Sequence, residues 1–194
     1  MMKIYGDMVS GNCLKVKYVA DHLHKPYEWV DIGVVAGEAR TSDFLAKNPA
    51  GQVPVIEFDD GRILAQSNAI MRYLAADSSL VPMDPWLAAK MDEWLFWEQY
   101  SHETSIAVTR FHMLFQGCAI DDRDPVLVKK GEAALDLMEN HLQDRLWFVG
   151  ETLTLADIAL FAYTQFAPEA GFLISNRKAV ESWLGRVRLT LETV

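Results

Sequence analysis

The stretch from Lys3 to Cys13, KIYGDMVSGNC, decides how this chain is interpreted, because a short strand-like run leads through a turn directly into a helix pattern. The turn ends in Ser10-Gly11-Asn12-Cys13, which has a serine where a redox-active C-x-x-C motif has its first cysteine. A helix N-terminus offers unpaired N–H groups and a partial positive charge, so it favours a bound anion or thiolate. The serine therefore predicts a hydroxyl donor for a thiol that belongs to a bound molecule.

Composition and charge limit the class of protein. The 194 residues are 51% apolar and 23% charged, and the net charge of −9 disfavours a nucleic acid or anionic membrane as partner. The two cysteines, Cys13 and Cys118, form no disulfide framework and fit a reducing compartment. No uncharged apolar run approaches 18 residues and no signal peptide is apparent, so we expect a cytoplasmic protein without membrane spans.

Strand and helix patterns alternate through residues 1–76. Strands are predicted at residues 3–5, 27–32, 53–58 and 62–64, and helices at residues 12–23, 42–47 and 67–76. The last two strands form a hairpin around Asp59-Asp60-Gly61, since Asp-Gly is a strong tight-turn signal. This order predicts an α/β thioredoxin-like domain with a mixed four-stranded sheet.

The rest of the chain has no strand pattern. Pro82 and Pro85 cannot both lie inside one helix, so residues 77–85 are predicted to be a linker and residues 86–194 an all-α helical domain. Its first helix is long, with one face marked by residues spaced three and four apart. The residues of this face are Trp94, Trp97, Ser101, Thr104, Val108, Phe111 and Phe115. Further helices are predicted after the caps Asp124 and Thr154, and over residues 179–188.

This arrangement resembles the cytosolic glutathione S-transferases, and four local motifs carry the likeness. Residues 10–13 resemble the serine-type active-site turn of the theta-like bacterial members. Residues 48–54, NPAGQVP, are similar to the segment that contains the family's cis-proline, and residues 66–70, QSNAI, to its E/Q-S-x-A-I signature. Residues 154–157, TLAD, are similar to the capping motif of the C-terminal core helix. The motifs lie in order, at suitable spacings, over most of the chain.

The resemblance implies a site for glutathione, bound as a co-substrate, with no tightly bound cofactor and no metal. Ser10 would stabilise the glutathione thiolate, and the backbone of Val53, beside a cis Val53–Pro54 bond, would pair with the cysteinyl residue. The hydroxyl and N–H of Ser67 would hold the γ-glutamyl carboxylate, and Gln66 would take the amine region. The full implied set of glutathione-binding residues is Arg40, Gln52, Val53, Pro54, Gln66 and Ser67.

Charge complementarity adds two expectations to this resemblance. The glycyl carboxylate needs a cation, for which Arg40 is the first choice and Lys47 the alternative. Because Gln66 lacks the charge of glutamate, the amine needs an anion, and relatives often take one from the long helix of a second subunit. Glu98 and Glu103 are the candidates, with a solvated helix face as the other interpretation. A homodimer is therefore expected.

The second substrate would be a small hydrophobic electrophile, in keeping with a detoxification enzyme. Its predicted pocket comprises Met8, Val9, Thr104, Val108, Phe111, His112 and Phe115. Apolar residues at this spacing are also typical of a plain helical core. The polar break at Ser101 and Thr104 and the aromatic density favour a pocket.

Several alternatives stay open from the sequence. Ser10 is also a suitable helix cap with no catalytic part, and Cys13 is either a packing residue or the centre of mixed-disulfide chemistry. A glutathione-dependent disulfide or peroxide reductase would use the same site as a glutathione S-transferase. A non-catalytic binding protein would reuse the fold alone.

Overall fold

The computed structural model describes residues 1–192, and the chain divides into two compact units, Met1–Ser78 and the segment from Ser79 onward. The strands of the first unit are β1 (Met2–Gly6), β2 (Tyr27–Asp31), β3 (Val55–Glu57) and β4 (Ile63–Ala65), and its helices are α1 (Gly11–His22), α2 (Ser42–Lys47) and α3 (Ser67–Leu74). The described helices of the second unit are α4 (Pro85–Trp97), α5 (Glu103–Gln116), α6 (Pro125–Leu142), α7 (Leu155–Thr164) and α8 (Lys178–Glu192). Within the described residues, no helix is both long and apolar enough to cross a membrane.

The sheet of the first unit has the strand order β2-β1-β3-β4, with β1 parallel to β2 and antiparallel to β3, which is antiparallel to β4. This confirms the predicted thioredoxin-like, mixed four-stranded sheet. The register places Tyr5 opposite Val55, and Val55 opposite Ala65. One edge of the sheet therefore carries the ends of β1, β2 and β4 together with the start of β3. We call this edge the ligand edge. It gathers the residues just beyond Gly6, Asp31 and Ala65 and those just before Val55.

Helices α1 and α3 pack against each other. Val16 and Val19 of α1 and Ile70 and Met71 of α3 are fully buried, as is Ile4 of β1. The predicted hairpin is confirmed, with Gly61 at a φ of +81° in its turn, where glycine is the favoured residue. Burial of these apolar side chains holds the N-termini of α1 and α3 side by side at the ligand edge.

Helix α7 is the core helix of the second unit, since all ten of its residues are buried. The predicted capping box between Thr154 and Asp157 is confirmed. The Asp157 carboxylate accepts hydrogen bonds from Phe148 N, Trp183 Nε1, Thr154 N and Thr154 Oγ1, each 3.0 Å long. One buried carboxylate thus joins the start of α7 to the preceding loop and to α8.

The face that the long helix buries is not the one marked by the spacing of three and four residues. It runs as α4, a five-residue π-helical segment at Glu98–His102, and α5. The buried side chains after Trp94 are Leu95, Glu98, His102, Ser105, Ile106, Ala107, Thr109 and Arg110, whereas the predicted face is half-buried or exposed from Trp97 onward. The buried polar residues bond within the fold, as when Thr109 Oγ1 donates to Ser105 O (2.7 Å) and His102 Nε2 contacts Thr164 Oγ1 (2.9 Å). Apolar spacing misses a face of this kind because most of its residues are polar.

Two of the predicted helix ends are confirmed. Asp124 caps α6 by accepting from Val126 N at 2.8 Å, and α5 ends at Gly117 with a φ of +71°. Pro85, assigned above to the linker, is instead the first residue of α4, where Asp84 is the cap and a missing N–H costs nothing.

Candidate active site

Ser10 lies at the ligand edge, directly before α1. Its backbone is extended, at φ −88° and ψ 118°, and it is the N-cap residue by position, but its side chain makes no capping hydrogen bond to the helix. The hydroxyl is half-buried and hydrogen-bonds towards the Cys13 thiol, a weak acceptor. A thiolate is a stronger acceptor because it is charged, so an incoming thiolate competes well for this hydroxyl.

Asp7 shapes the turn that presents Ser10, a role that the sequence analysis missed. Its carboxylate accepts from Val9 N and from Val34 N, both at 3.1 Å, and its carbonyl accepts from Ser10 N at 3.0 Å. These bonds tie the β1–α1 turn to the loop that follows β2. An aspartate that bonds to a backbone N–H two residues later is a turn signal that could have identified it.

Cys13 is a buried thiol. Its side chain has no exposed surface, and burial raises its pKa to about 11, against the opposing effects of hydrogen bonds from Asp7 N and the Ser10 side chain. Since a thiolate is the nucleophile in thiol chemistry, this environment favours a packing role for Cys13.

The segment before β3 presents backbone at the same edge. The Val53–Pro54 peptide bond is cis, as the resemblance implied. Asn48 organises the approach to it, donating from Nδ2 to Gln52 O at 2.7 Å and accepting from Ala50 N at 3.2 Å. The Val53 N–H has no hydrogen-bond partner among residues 1–192, so it is available to a ligand.

The two candidate cations have different surroundings. Lys47 Nζ contacts Glu57 Oε2 at 2.7 Å and lies over the Tyr5 ring, and this pairing lowers the pKa of Glu57. Arg40 is exposed, and its Nη1 donates to Ala50 O at 3.1 Å, beside the segment that leads to Pro54. The charge of Lys47 is thus already paired, which favours Arg40 as the residue for a ligand carboxylate.

Gln66 and Ser67 form the third part of the edge. Gln66 has a φ of +72°, a strained conformation for a residue with a side chain. Ser67, the first residue of α3, is buried and its hydroxyl donates to Asn12 Oδ1 at 3.0 Å, although the two residues are 55 positions apart. Lys15 Nζ donates to the same Asn12 oxygen at 2.8 Å. Sequence reasoning missed Lys15; its signal was a lysine between Leu14 and Val16 on the buried side of α1.

The residues predicted for the electrophile pocket lie in both units. Met8 and Val9 are exposed in the β1–α1 turn of the first unit. In α5, Thr104, Phe111 and Phe115 are exposed and Val108 and His112 half-buried, and the two phenylalanine rings are 5.3 Å apart. The stripe on α5 is therefore not plain core, which was the alternative interpretation.

Glu98 is wrong as a residue that reaches a second subunit. It is fully buried within its own chain, where its Oε2 accepts from Gln99 Nε2 at 3.0 Å. Glu103 is half-buried at the start of α5 and stays a candidate. Among the described residues, no three His, Cys, Asp or Glu side chains converge as a metal site.

A thioredoxin-like domain followed by a helical domain is the architecture of the glutathione S-transferases. The family "Glutathione S-transferase, N-terminal domain" matches residues 9–77, and "Glutathione S-transferase, C-terminal domain" matches residues 123–188. The chain belongs to the glutathione S-transferase family, whose members are transferases.

Relatives match over nearly their whole length. Glutathione S-transferase GstB from Escherichia coli strain K12 is 30% identical over 94% of this chain and 91% of its own. Glutathione S-transferase 3 from Zea mays is 29% identical over 94% of this chain and 86% of its own. The crystal structure of a glutathione S-transferase from Pseudomonas fluorescens Pf-5 is 44% identical, with a TM-score of 0.93 over 96% of this chain and 94% of that one.

Proposed function

We propose that this protein conjugates glutathione to small apolar electrophiles, as a theta-like serine-type member of its family. The observation that carries the proposal is the pairing of two helix N-termini at the ligand edge. The N-terminus of α1, with the Ser10 hydroxyl, and that of α3 are joined by the 3.0 Å hydrogen bond between Ser67 and Asn12. Two such termini offer N–H groups and positive potential to the thiolate and the carboxylate of one anionic ligand.

Ser10 is the proposed catalytic residue. A free thiol has a pKa of about 8.5, so little thiolate exists at neutral pH. A hydrogen bond to a charged acceptor contributes about 1.5 to 3 kcal/mol, enough to lower the pKa by about one to two units. The thiolate then attacks the electrophilic carbon, and its placement beside that carbon supplies the rest of the rate enhancement.

The remaining edge residues bind the tripeptide in this proposal. The Val53 backbone pairs with the cysteinyl residue beside Pro54, and Gln52 lies on the same segment. Gln66 and the first N–H groups of α3 take the γ-glutamyl end, while the exposed cation of Arg40 takes the glycyl carboxylate.

The electrophile, the assembly and the compartment complete the proposal. In this proposal the electrophile contacts the residues expected from the sequence, which are Met8 and Val9 in the first unit and Thr104, Val108, Phe111, His112 and Phe115 of α5 in the second. A homodimer supplies a second long helix, with Glu103 as the remaining candidate anion for the amine. The two free cysteines fit the cytoplasm.

Conjugation is favoured over reduction by the state of Cys13. Disulfide or peroxide reduction through a protein thiol needs an accessible thiolate, whereas this sulfur is buried and its pKa is about 11. Conjugation needs neither an accessible protein thiol nor a low pKa at Cys13, since Ser10 acts on the thiol of the ligand.

The test is retention on immobilised glutathione together with the rate of conjugation to an activated aryl chloride, in the wild type, Ser10→Ala and Cys13→Ala. We expect the wild type to be retained and active. Ser10→Ala should be retained but lose about 8- to 25-fold in rate at pH 7, because a pKa that returns from about 6.5–7.5 to about 8.5 lowers the thiolate fraction by that factor. Cys13→Ala should keep most of its activity. A wild type that is neither retained nor active would contradict the proposal.

A further inference from the structure

The carboxylate of Asp7 is bonded into the turn that presents Ser10, although the proposed mechanism gives it no role. Its Oδ1 accepts from Val9 N and its Oδ2 from Val34 N, each at 3.1 Å. The backbone carbonyl of Asp7 accepts from Ser10 N at 3.0 Å, and its N–H contacts Cys13 Sγ at 3.4 Å. Both oxygens of one carboxylate thus accept from backbone, one within the turn and one in the loop that follows β2.

The residues between Asp7 and Ser10 favour no particular turn. Met8 and Val9 are exposed, so burial contributes little to holding them, and a β-branched valine is typical of strands rather than turns. An aspartate side chain that bonds to the backbone N–H two residues later takes the place of a backbone turn bond. Because Val9 directly precedes Ser10, this bond fixes the backbone from which the Ser10 side chain extends.

The loop to which Asp7 is bonded has its own closing bonds. The N–H of Gly33 donates to Glu38 Oε2 at 2.6 Å, and the N–H of Glu38 donates back to Gly33 O at 3.1 Å. Gly37 N donates to Val34 O, also at 3.1 Å. Val34 N therefore belongs to a closed loop, and the Asp7 carboxylate joins the Ser10 turn to it.

The charge of Asp7 acts against a thiolate, because a nearby like charge disfavours the charged form of a group. Cys13 shows the direction of this effect. Burial is the main cause of its raised pKa, and the charge of Asp7 contributes further to the rise. By charge alone, Asp7 would oppose a site that lowers the pKa of a thiol. Its hydrogen bonds are the means by which it can assist Ser10.

We infer that Asp7 is a positioning residue for the thiolate: by accepting from Val9 N and Val34 N, it holds the Ser10 hydroxyl towards the sulfur of glutathione, although its own negative charge disfavours the thiolate. The inference rests on the proposed function, because it takes Ser10 as the donor to that sulfur. It assigns to Asp7 a role that acts through Ser10 and involves no contact with the ligand.

The test compares the pKa of bound glutathione in Asp7→Asn and Asp7→Ala, measured by the ultraviolet absorbance of the thiolate as a function of pH. Both variants remove the charge, but only asparagine keeps a side-chain oxygen that can accept from Val9 N. The pKa of glutathione bound to Asp7→Ala should therefore exceed that in Asp7→Asn by about 0.5 to 1, a large part of the effect expected from one hydrogen bond to a charged group.

Further variants separate positioning from charge and from a merely structural role. Asp7→Glu keeps the charge but displaces the acceptor, so it should raise the pKa of bound glutathione above the wild-type value; it tests the inference even if Asp7→Ala fails to fold. In a Ser10→Ala background, Asp7→Asn and Asp7→Ala should give the same pKa, because Asp7 acts through Ser10. Glu28→Ala removes an exposed carboxylate of β2 and should leave the pKa within about 0.2 of the wild-type value.

The outcomes also distinguish this inference from the proposed function. An unshifted pKa of glutathione bound to the wild type overturns both. A pKa that is lowered in the wild type and lost in Ser10→Ala, with equal values in Asp7→Asn and Asp7→Ala, overturns the inference alone. A difference between these two variants that persists in the Ser10→Ala background also overturns it, because Asp7 would then act by another route.

Discussion

The backbone at Gln66 provides a prediction whose size follows from one dihedral angle. A residue with a Cβ at a φ of +72° is strained by about 1 to 3 kcal/mol, whereas glycine adopts this region freely. Glycine also raises the entropy of the unfolded chain, at a cost of about 0.5 to 1 kcal/mol relative to alanine. We therefore expect Gln66→Gly to be more stable than Gln66→Ala by about 1 kcal/mol.

The comparison with Gln66→Ala isolates the effect of the backbone conformation on stability. Both variants lack the side-chain amide, and the side chain of Gln66 is exposed. Urea unfolding measures the difference in free energy, and thermal unfolding should show a shift of about 2 to 4 °C for a chain of this size. Both variants should bind glutathione more weakly than the wild type. Gln66→Gly should therefore be more stable than Gln66→Ala although its affinity for glutathione is lower than that of the wild type. A Gln66→Gly protein that is less stable than Gln66→Ala by 0.5 kcal/mol or more would refute the argument from strain.

Three other predictions concern the core and the charges of the site. Asp157→Asn turns an amide NH₂ towards two of the donors that now face the carboxylate. Urea unfolding should therefore show a free energy of unfolding that is lower by about 2 to 5 kcal/mol. A decrease below about 1 kcal/mol would contradict the role of Asp157. The Cys13 pKa of about 11 exceeds that of an unfolded thiol, about 8.5. The contribution of Cys13 to the free energy of unfolding is therefore complete below pH 8.5 and is lost as the pH rises towards 11. Urea unfolding between pH 7 and 10.5 should show this decline in the wild type and a smaller one in Cys13→Ala. Arg40→Ala should weaken glutathione binding about five- to tenfold by calorimetry, and Lys47→Ala, whose charge is paired with Glu57, less than twofold, with the reverse order counting against Arg40.

Local signals predicted much of the fold and most of the ligand edge. The Asp60-Gly61 turn, the Asp124 cap and the Thr154 capping box each follow from a few neighbouring residues, and all three form. The thioredoxin-like strand order brings Ser10 to the edge where β3 begins. Residues that are far apart in the chain could thus be placed together once the topology was known.

Buried polar residues were not predictable in the same way. Lys15 and Glu98 are fully buried, yet charged side chains in helices are ordinarily assigned to a solvent-exposed face. Lys15 and Ser67 both donate to Asn12 Oδ1. The bond from Ser67 depends on how α1 packs against α3. Apolar periodicity carries no information on such contacts, and it therefore did not identify the largely polar face that the long helix buries.

The central claim is that the Ser10 hydroxyl stabilises the thiolate of bound glutathione. The most direct measurement is the ultraviolet absorbance of that thiolate as a function of pH, in the wild type and in Ser10→Ala, with the ligand-free proteins subtracted. The account predicts a pKa of bound glutathione about one to two units below the free value of about 8.5 in the wild type, and a value near 8.5 in Ser10→Ala. An unshifted pKa in the wild type, or the same lowered pKa in both proteins, would contradict it.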